Sequence, residues 1–170
     1  TFVHEKDVMG YIYAILQSPA YKLKFDEFLK TDFPHLPFTN DFGYFSKLAE
    51  LGNRLIQAHL LSEETINELK TAPNFKAKGI YKGQGTNTVE KVRFSKQKIY
   101  INKNQYFENV PESVYNYTVG GYPVVEKYLK ERKGKTLTLR EINTVENTIK
   151  VLAFSLKLKQ DIDKLVKNLI

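Results

Sequence analysis

Between residues 74 and 102 the chain drops the helical hydrophobic repeat that it keeps on either side, and that break limits the folds open to it. Upstream, Val8 to Leu16 is apolar nearly all round and suits a buried helix. Ser18 followed by Pro19 predicts a capped restart running to about Lys30, with Tyr21, Phe25, Phe28 and Leu29 on one face. The segment from Asp32 to Pro37 cannot be helical, because each residue before a proline is driven to extended geometry. A third helix is expected from about Thr39–Phe42 to Leu61, striped by Phe45, Leu48, Leu51, Leu55 and Ile56, and Ser62 caps a short fourth. The pattern changes after Pro73. Asn74 to Thr88, with Gly79, Gly83 and Gly85, reads as a loop or irregular hairpin. Val89 to Phe94 and Lys98 to Asn102 alternate as strands, with Lys91 and Arg93 on one side of the first and Ser95-Lys96-Gln97 as a hairpin-length link. Downstream, Pro111 opens a short helix, Gly120-Gly121 allows a turn, and Val124 to Arg132 is helical up to Gly134. Thr138 to Glu141 matches a capping box for a long terminal helix carrying Ile142, Val145, Ile149, Leu152, Leu156 and Leu158. This order predicts one α+β domain: an N-terminal helical layer over residues 1–72, a small β-rich middle over 73–135 and a long C-terminal helix over 136–170.

The 170 residues are enough for a core that needs no staples. No cysteine is present, which removes disulfides, thiol catalysis and Cys-ligated zinc and fits a reducing cytoplasm. No apolar run approaches the ~20 residues of a membrane span, and the first residues lack the apolar core of a signal peptide. The chain starts at Thr1 rather than Met, so it is expected to be a piece of a longer polypeptide.

Charge is distributed unevenly. Residues 1–70 hold 7 Lys and Arg against 10 Asp and Glu, residues 71–135 hold 13 against 5, and residues 136–170 hold 6 against 4. The positive excess therefore lies in the middle, interleaved with Tyr, Phe, Asn and Gln, which is what a surface needs to hold phosphates and touch bases. Amides pair bidentately with adenine, and Arg or Lys with guanine. Arg93, Lys96, Gln97, Asn102, Lys103, Asn104 and Gln105 are accordingly the base-reading candidates. Lys76, Lys78, Lys82, Lys91, Lys127, Lys130, Arg132, Lys133 and Lys135 are the phosphate candidates. The same lysines also suit a helix C-terminus, and Asn-rich runs also make turns. Tyr100, Tyr106, Phe107, Tyr115, Tyr117 and Tyr122 read as core rather than stacking platforms. No catalytic constellation assembles. His4, His35 and His59 lie far apart, Gly79 to Gly85 lacks the Gly-Lys-Ser/Thr ending of a phosphate loop, no nucleophile elbow is present, and Asp161 and Asp163 read as a solvated helix face rather than a metal site.

Longer motifs narrow this reading. YIYAILQSPAYKLKFDEFLKTDFPHLPF at residues 11–38, LAELGNRLIQAHLL at 48–61, and VEKVRF followed by KIYINKNQYFENVPESVYNYTVGGYPVVEKYLKERKGKTLT resemble the C-terminal specificity domain of type ISP single-polypeptide restriction-modification enzymes. Gln17 stands where the family usually has His, and His35 where it usually has Arg. The resemblance covers about Val8 to Asp163. It implies a target-recognition domain that binds double-stranded DNA in the major groove and positions an adenine for N6-methylation by an upstream methyltransferase in a bacterial cytoplasm. It also implies that the fragment is non-catalytic, has no cofactor or metal of its own and does not meet a membrane. Upstream methyltransferase and helicase domains would be its partners, with S-adenosylmethionine, ATP and Mg used elsewhere in the parent chain. The alternative is a protein–protein assembly module whose lysines serve solubility.

Overall fold

The structure, a computed structural model, describes residues 2–72 and 75–170. The expected change of pattern at Pro73 and Asn74, and the chain start at Thr1, lie outside the described residues. The fold is α+β, and the chain forms two compact units, Thr1–Leu60 with Ser155–Ile170, and Leu61–Phe154.

The first unit is helical. Helix α1 (Glu5–Gln17) buries Tyr11, Ala14 and Ile15, and α4 (Phe42–His59) buries Leu48, Ala49, Leu55 and Ala58. The two touch through backbone, because a Cβ on Gly52 would overlap the carbonyl of Gly10. The helix expected from Pro19 to Lys30 is instead two, α2 (Pro19–Lys24) and α3 (Asp26–Leu29), broken at Phe25, whose φ −111° and ψ 18° leave the helical region. Ser18 caps α2 as its sequence predicts and donates its Oγ hydrogen to Asp163 Oδ1 at 2.6 Å. Asp163 Oδ1 also accepts the Ala20 N–H at 2.7 Å, and Oδ2 meets Lys167 at 2.9 Å. Asp163, expected on a solvated face, is therefore a mostly buried tie between the last helix and α2.

The second unit begins with α5 (Glu63–Thr71), capped by Ser62. Its sheet has four antiparallel strands in the order β1-β4-β3-β2: β1 (Ile80–Lys82), β2 (Arg93–Ser95), β3 (Lys98–Tyr100) and β4 (Tyr106–Glu108). Strand β1 falls inside the stretch expected to be a loop or irregular hairpin, and β4 lies where no strand was expected. The strand expected over Val89 to Phe94 is shortened, because the Glu90 and Lys91 N–H groups both donate to the Ile101 carbonyl and bulge the chain there. Lys91 and Arg93 therefore do not share a regular strand. The hairpin link closes through Lys96 (φ 49°) and Gln97 (φ 58°), the paired left-handed residues of a two-residue turn that matches strand twist. Edge strand β1 is shielded, as the Tyr81 N–H donates to Glu146 Oε1 at 2.8 Å.

A short helix α6 (Glu112–Tyr115), a ribbon of β5 (Thr118–Val119) and β6 (Tyr122–Pro123) and helix α7 (Val124–Lys130) follow. The capping box forms as its spacing requires, with Glu141 Oε2 accepting the Thr138 N–H at 2.9 Å and Thr138 Oγ1 accepting the Glu141 N–H at 3.2 Å. It starts α8 (Leu139–Lys167), which contributes residues to both units. Ile99, Ile101, Phe107, Val114, Leu129 and Ile149 form the buried centre of the second unit.

Two outcomes follow from the first unit. Gly52→Ala should lower the urea midpoint by the equivalent of about 1–3 kcal/mol or more, since the opposing atoms are backbone and the helices must separate. Asp163 is held below its ordinary pKa: burial alone would raise it, but the bonds from Ser18 and Ala20 and the Lys167 charge outweigh burial. Its stabilisation is present above the unfolded value of about 3.9 and is lost as pH falls through the lower folded value. Asp163→Asn should therefore cost about 1–3 kcal/mol at pH 7, and urea titrations of variant and wild type should converge in acid.

Candidate nucleic-acid interface

Strand alternation sorts the sheet's side chains onto two faces. Tyr81, Phe107, Ile99 and Phe94 share the covered face, where Phe94 stacks on Tyr115 with centroids 4.6 Å apart. The register places Lys82 opposite Tyr106, Tyr106 opposite Tyr100, and Tyr100 opposite Arg93, so these four form one row across the open face. Tyr100 and Tyr106, expected in the core, are half-buried members of that row. The Arg93 guanidinium lies 3.7 Å from the Tyr100 ring centroid, and Lys98 Nζ lies 4.2 Å from that of Tyr106. A guanidinium stacked in this way keeps its in-plane donors for a second partner. Glu108 is the acid on this face.

The base-reading candidates separate. Lys96 and Gln97 are exposed at the β2–β3 turn, at one end of the sheet. The Asn102–Gln105 turn joins β3 to β4 at the other end, about 10 Å away at the ordinary strand rise over three residues. Arg93 lies towards that second end. Lys103 and Asn104 are exposed there, but their two neighbours are engaged within the protein. Gln105 is 1% exposed. Its Oε1 accepts the Asn87 N–H at 2.8 Å and an Asn102 Nδ2 hydrogen at 3.0 Å, while its Nε2 donates to Asn87 Oδ1 at 2.7 Å. Asn102 is likewise committed, since Nδ2 also donates to the Thr88 carbonyl at 3.0 Å and Oδ1 accepts the N–H groups of Asn104 and Gln105 at 3.0 and 2.8 Å. Both amides hold the scaffold, Gln105 buried and Asn102 half-buried, and are not among the exposed groups at this end.

Three chain segments meet at this end. Gly83 packs against the Asn104 carbonyl, where a Cβ would not fit. The Asn87 carbonyl accepts the Leu137 N–H at 2.9 Å, Val89 exchanges bonds with Lys135 and Gly134, and Thr88 bridges to Thr136. Exposed Lys82, Gln84 and Thr86 from the glycine-rich loop, Lys103 and Asn104 from the turn, and Lys133 and Lys135 from beyond α7 are thereby grouped, with Lys91 and the acid Glu90 on the adjoining bulge. Gln84 and Thr86 are not named singly by the sequence reading, which marks only the glycine-rich Lys76–Thr88 segment around them as a seat of sequence choice.

The remaining phosphate candidates differ. Arg132 is spent internally: its Nε bonds Glu141 Oε1 at 2.9 Å, its Nη1 donates to the Tyr128 carbonyl at 2.9 Å, and its guanidinium carbon sits 3.4 Å from the Tyr128 ring centroid. Lys130 is exposed but paired with Glu126 at 2.9 Å, and Lys127 lies 4.1 Å from the centroid of Tyr122. Lys76 is exposed. Lys78 is half-buried near Lys150, whose pKa is lowered by burial and by Lys70 and Lys78, against the opposing pull of Glu146. Among the described residues, no group of three or more His, Cys, Asp or Glu could hold a metal ion, and no helix is long and apolar enough to cross a membrane.

The fold and this surface define a small α+β domain with a basic, aromatic and amide-rich sheet end. The chain belongs to the Type ISP C-terminal specificity domain family, whose model matches residues 1–161. It is similar in fold to the Type ISP restriction-modification enzyme LlaGI, solved as a nuclease-deletion mutant with a DNA substrate mimic (TM-score 0.62, 23% identity), and to the ATP-dependent Type ISP enzyme LlaBIII bound to DNA (0.64, 23%). It is also similar to DrdV in a DNA complex (0.63, 15%). In each case 94% of this chain is covered, but only 14%, 11% and 18% of the respective longer chain. No curated protein matches the chain.

The Arg132–Glu141 pair is testable by itself. The bonds from Thr138 and Arg132 hold the Glu141 carboxyl at about 2, well below its ordinary value. Arg132→Gln and Glu141→Gln should each lower the melting temperature at pH 7. The double variant should lose less than the singles combined, because each single already breaks the shared bond.

Proposed function

We propose that this chain is a sequence-specific reader of double-stranded DNA within a restriction-modification enzyme. The observation that carries the reading is the grouping of Lys82, Gln84, Thr86, Lys103, Asn104, Lys133 and Lys135 at one sheet end, beside the Arg93–Tyr100–Tyr106 row. The lysines supply point charges for phosphates, which fix register without reading sequence. Asn104, Gln84 and the stacked Arg93 supply the directional donors and acceptors that base edges require. Family membership and the DNA complexes of three similar folds support the assignment.

On this reading the chain contributes no catalytic group. It positions a target adenine for methylation by another domain of a longer polypeptide, and S-adenosylmethionine, ATP and Mg act there. The first unit exposes Leu23, Phe33 and Phe38 at 83%, 86% and 60%. Apolar exposure of that kind suits contact with neighbouring domains of the same polypeptide rather than DNA, so assembly and DNA reading are assigned to different units.

Fluorescence anisotropy on a labelled duplex tests the reading. The 170-residue chain should bind with a Kd of roughly micromolar or weaker at physiological salt, and log affinity should fall linearly with log salt. Lys133→Ala with Lys135→Ala should weaken all duplexes alike and flatten the slope by up to about 0.9 per lost phosphate contact. An affinity indifferent to salt would sink the proposal.

A further inference from the structure

The amide of Gln105 lies one layer beneath the surface just described, and its bonding goes beyond what a turn needs. Asn102 alone caps the 102–105 turn, through the N–H groups of Asn104 and Gln105. Gln105 reaches across to a different segment 18 residues earlier and takes Asn87 at both its backbone N–H and its side-chain oxygen. Asn87 has left-handed φ 59°, a conformation Asn tolerates better than most residues. Its Oδ1 also accepts the Tyr81 hydroxyl at 3.1 Å, and burial pushes that phenol up to about 12, so it remains a donor at any working pH. Gly85 completes the fit: a Cβ there would lie 2.6 Å from Gln105 Oε1.

The consequence is geometric. The exposed residues on the two sides of this junction are Gln84 and Thr86 on one loop and Lys103 and Asn104 on the other. Loops of this length move independently when nothing joins them. Here they are joined by the two bonds between Gln105 and Asn87 and by a third from Asn102 Nδ2 to the Thr88 carbonyl, all partly buried, so a shift of one loop past the other leaves the buried Gln105 amide unpaired. Asn87 extends the joint to a third segment, since its carbonyl accepts the Leu137 N–H two residues beyond Lys135.

We propose that Gln105 is a positioning residue for sequence choice: through Asn87 it locks the Gly83–Thr86 loop to the 102–105 turn, so that both present their side chains to DNA as one rigid edge. The inference rests on the DNA-reading assignment above. It predicts that cutting the lock alters discrimination between sequences while leaving charge-driven binding in place, because none of the lysines is touched.

Selection from a randomised duplex pool, followed by affinity measurement on the selected and on a scrambled duplex, tests it with the 170-residue chain. Two variants weaken the lock from opposite sides, Gln105→Met by losing both bonds to Asn87 and Asn87→Gly by losing the one to its side-chain oxygen. Gln105→Met removes the buried amide at similar length. Asn87→Gly keeps the backbone N–H, the carbonyl and the left-handed conformation and removes only the side-chain arm, so it stays folded if Gln105→Met does not. Both are compared below their melting temperatures, with circular dichroism as the check on folding. The expected result is scrambled-duplex affinity within about threefold of wild type, together with loss of at least about tenfold in the ratio of selected to scrambled, the scale of one directional base contact. The proposal is overturned if Asn87→Gly selects the same sequence with the same ratio, or if it lowers both affinities in step. Wild type that binds no duplex, or selects none, overturns the DNA-reading assignment instead and takes this proposal with it.

Discussion

A primary amide removed from water must find partners within the protein or cost the fold a lost hydrogen bond on each side. That constraint on Gln105 organises the polar end of the sheet. With Oε1 shared between Asn87 and Asn102 and Nε2 given to Asn87, the side chain has one arrangement that satisfies it. The glycine-rich loop owes its course to this arrangement, because Gly85 and Gly83 are pressed against Gln105 and Asn104 where no side chain would fit. The Lys133–Lys135 segment is placed beside the same joint, through backbone bonds of Gly134 and Lys135 to Val89 and of the following Leu137 to Asn87. A neutral amide suits the position better than an ion pair, since burial exacts far less from it and both its ends are directional.

The open face of the sheet uses a different device. Arg93 and Lys98 there, and Lys127 of α7 beside the β5–β6 ribbon, each lie over a tyrosine ring within 4.2 Å of its centroid. Long cationic side chains otherwise carry considerable rotamer entropy, which any ligand must remove. Resting on an aromatic surface restricts them beforehand without neutralising their charge. Lys130 shows the contrast, held by the Glu126 carboxylate, while Arg132 combines the two: it rests on the Tyr128 ring and its bond to Glu141 fastens the start of α8 to the end of α7.

Much of the architecture was legible in the chain. Ser18-Pro19, Ser62 and Thr138–Glu141 announce helix starts because a cap is a local bond between residues three apart, and all three form. The three-residue strands were harder to read. Three residues are too few to establish a period of two, so β1 reads only as part of a loop or irregular hairpin and β4 carries no strand signal. The break at Phe25 left no trace, since Phe is compatible with either conformation. The site was legible as a composition and not as a surface. Lys103 and Gln105 are two residues apart and chemically alike as polar candidates, yet one is exposed and the other buried. Which way a polar side chain turns depends on the partner that comes from elsewhere in the chain, here Asn87, and nothing local to Gln105 specifies it. The same applies to Arg132, whose partner Glu141 sits in the next helix.

The bond between Ser18 and Asp163 has a consequence for how the molecule is made. It spans 145 residues, whereas the second unit is one uninterrupted stretch, Leu61–Phe154. At ribosomal rates of about 5–20 residues per second, roughly 7 to 29 seconds separates the emergence of Ser18 from that of its partner. Helices α1 and α4 can pair during that interval, but α2 must wait with its first turn untied. The unit that appears first in the polypeptide is therefore the last to be completed, and the sheet and its polar end are assembled before the helical unit closes.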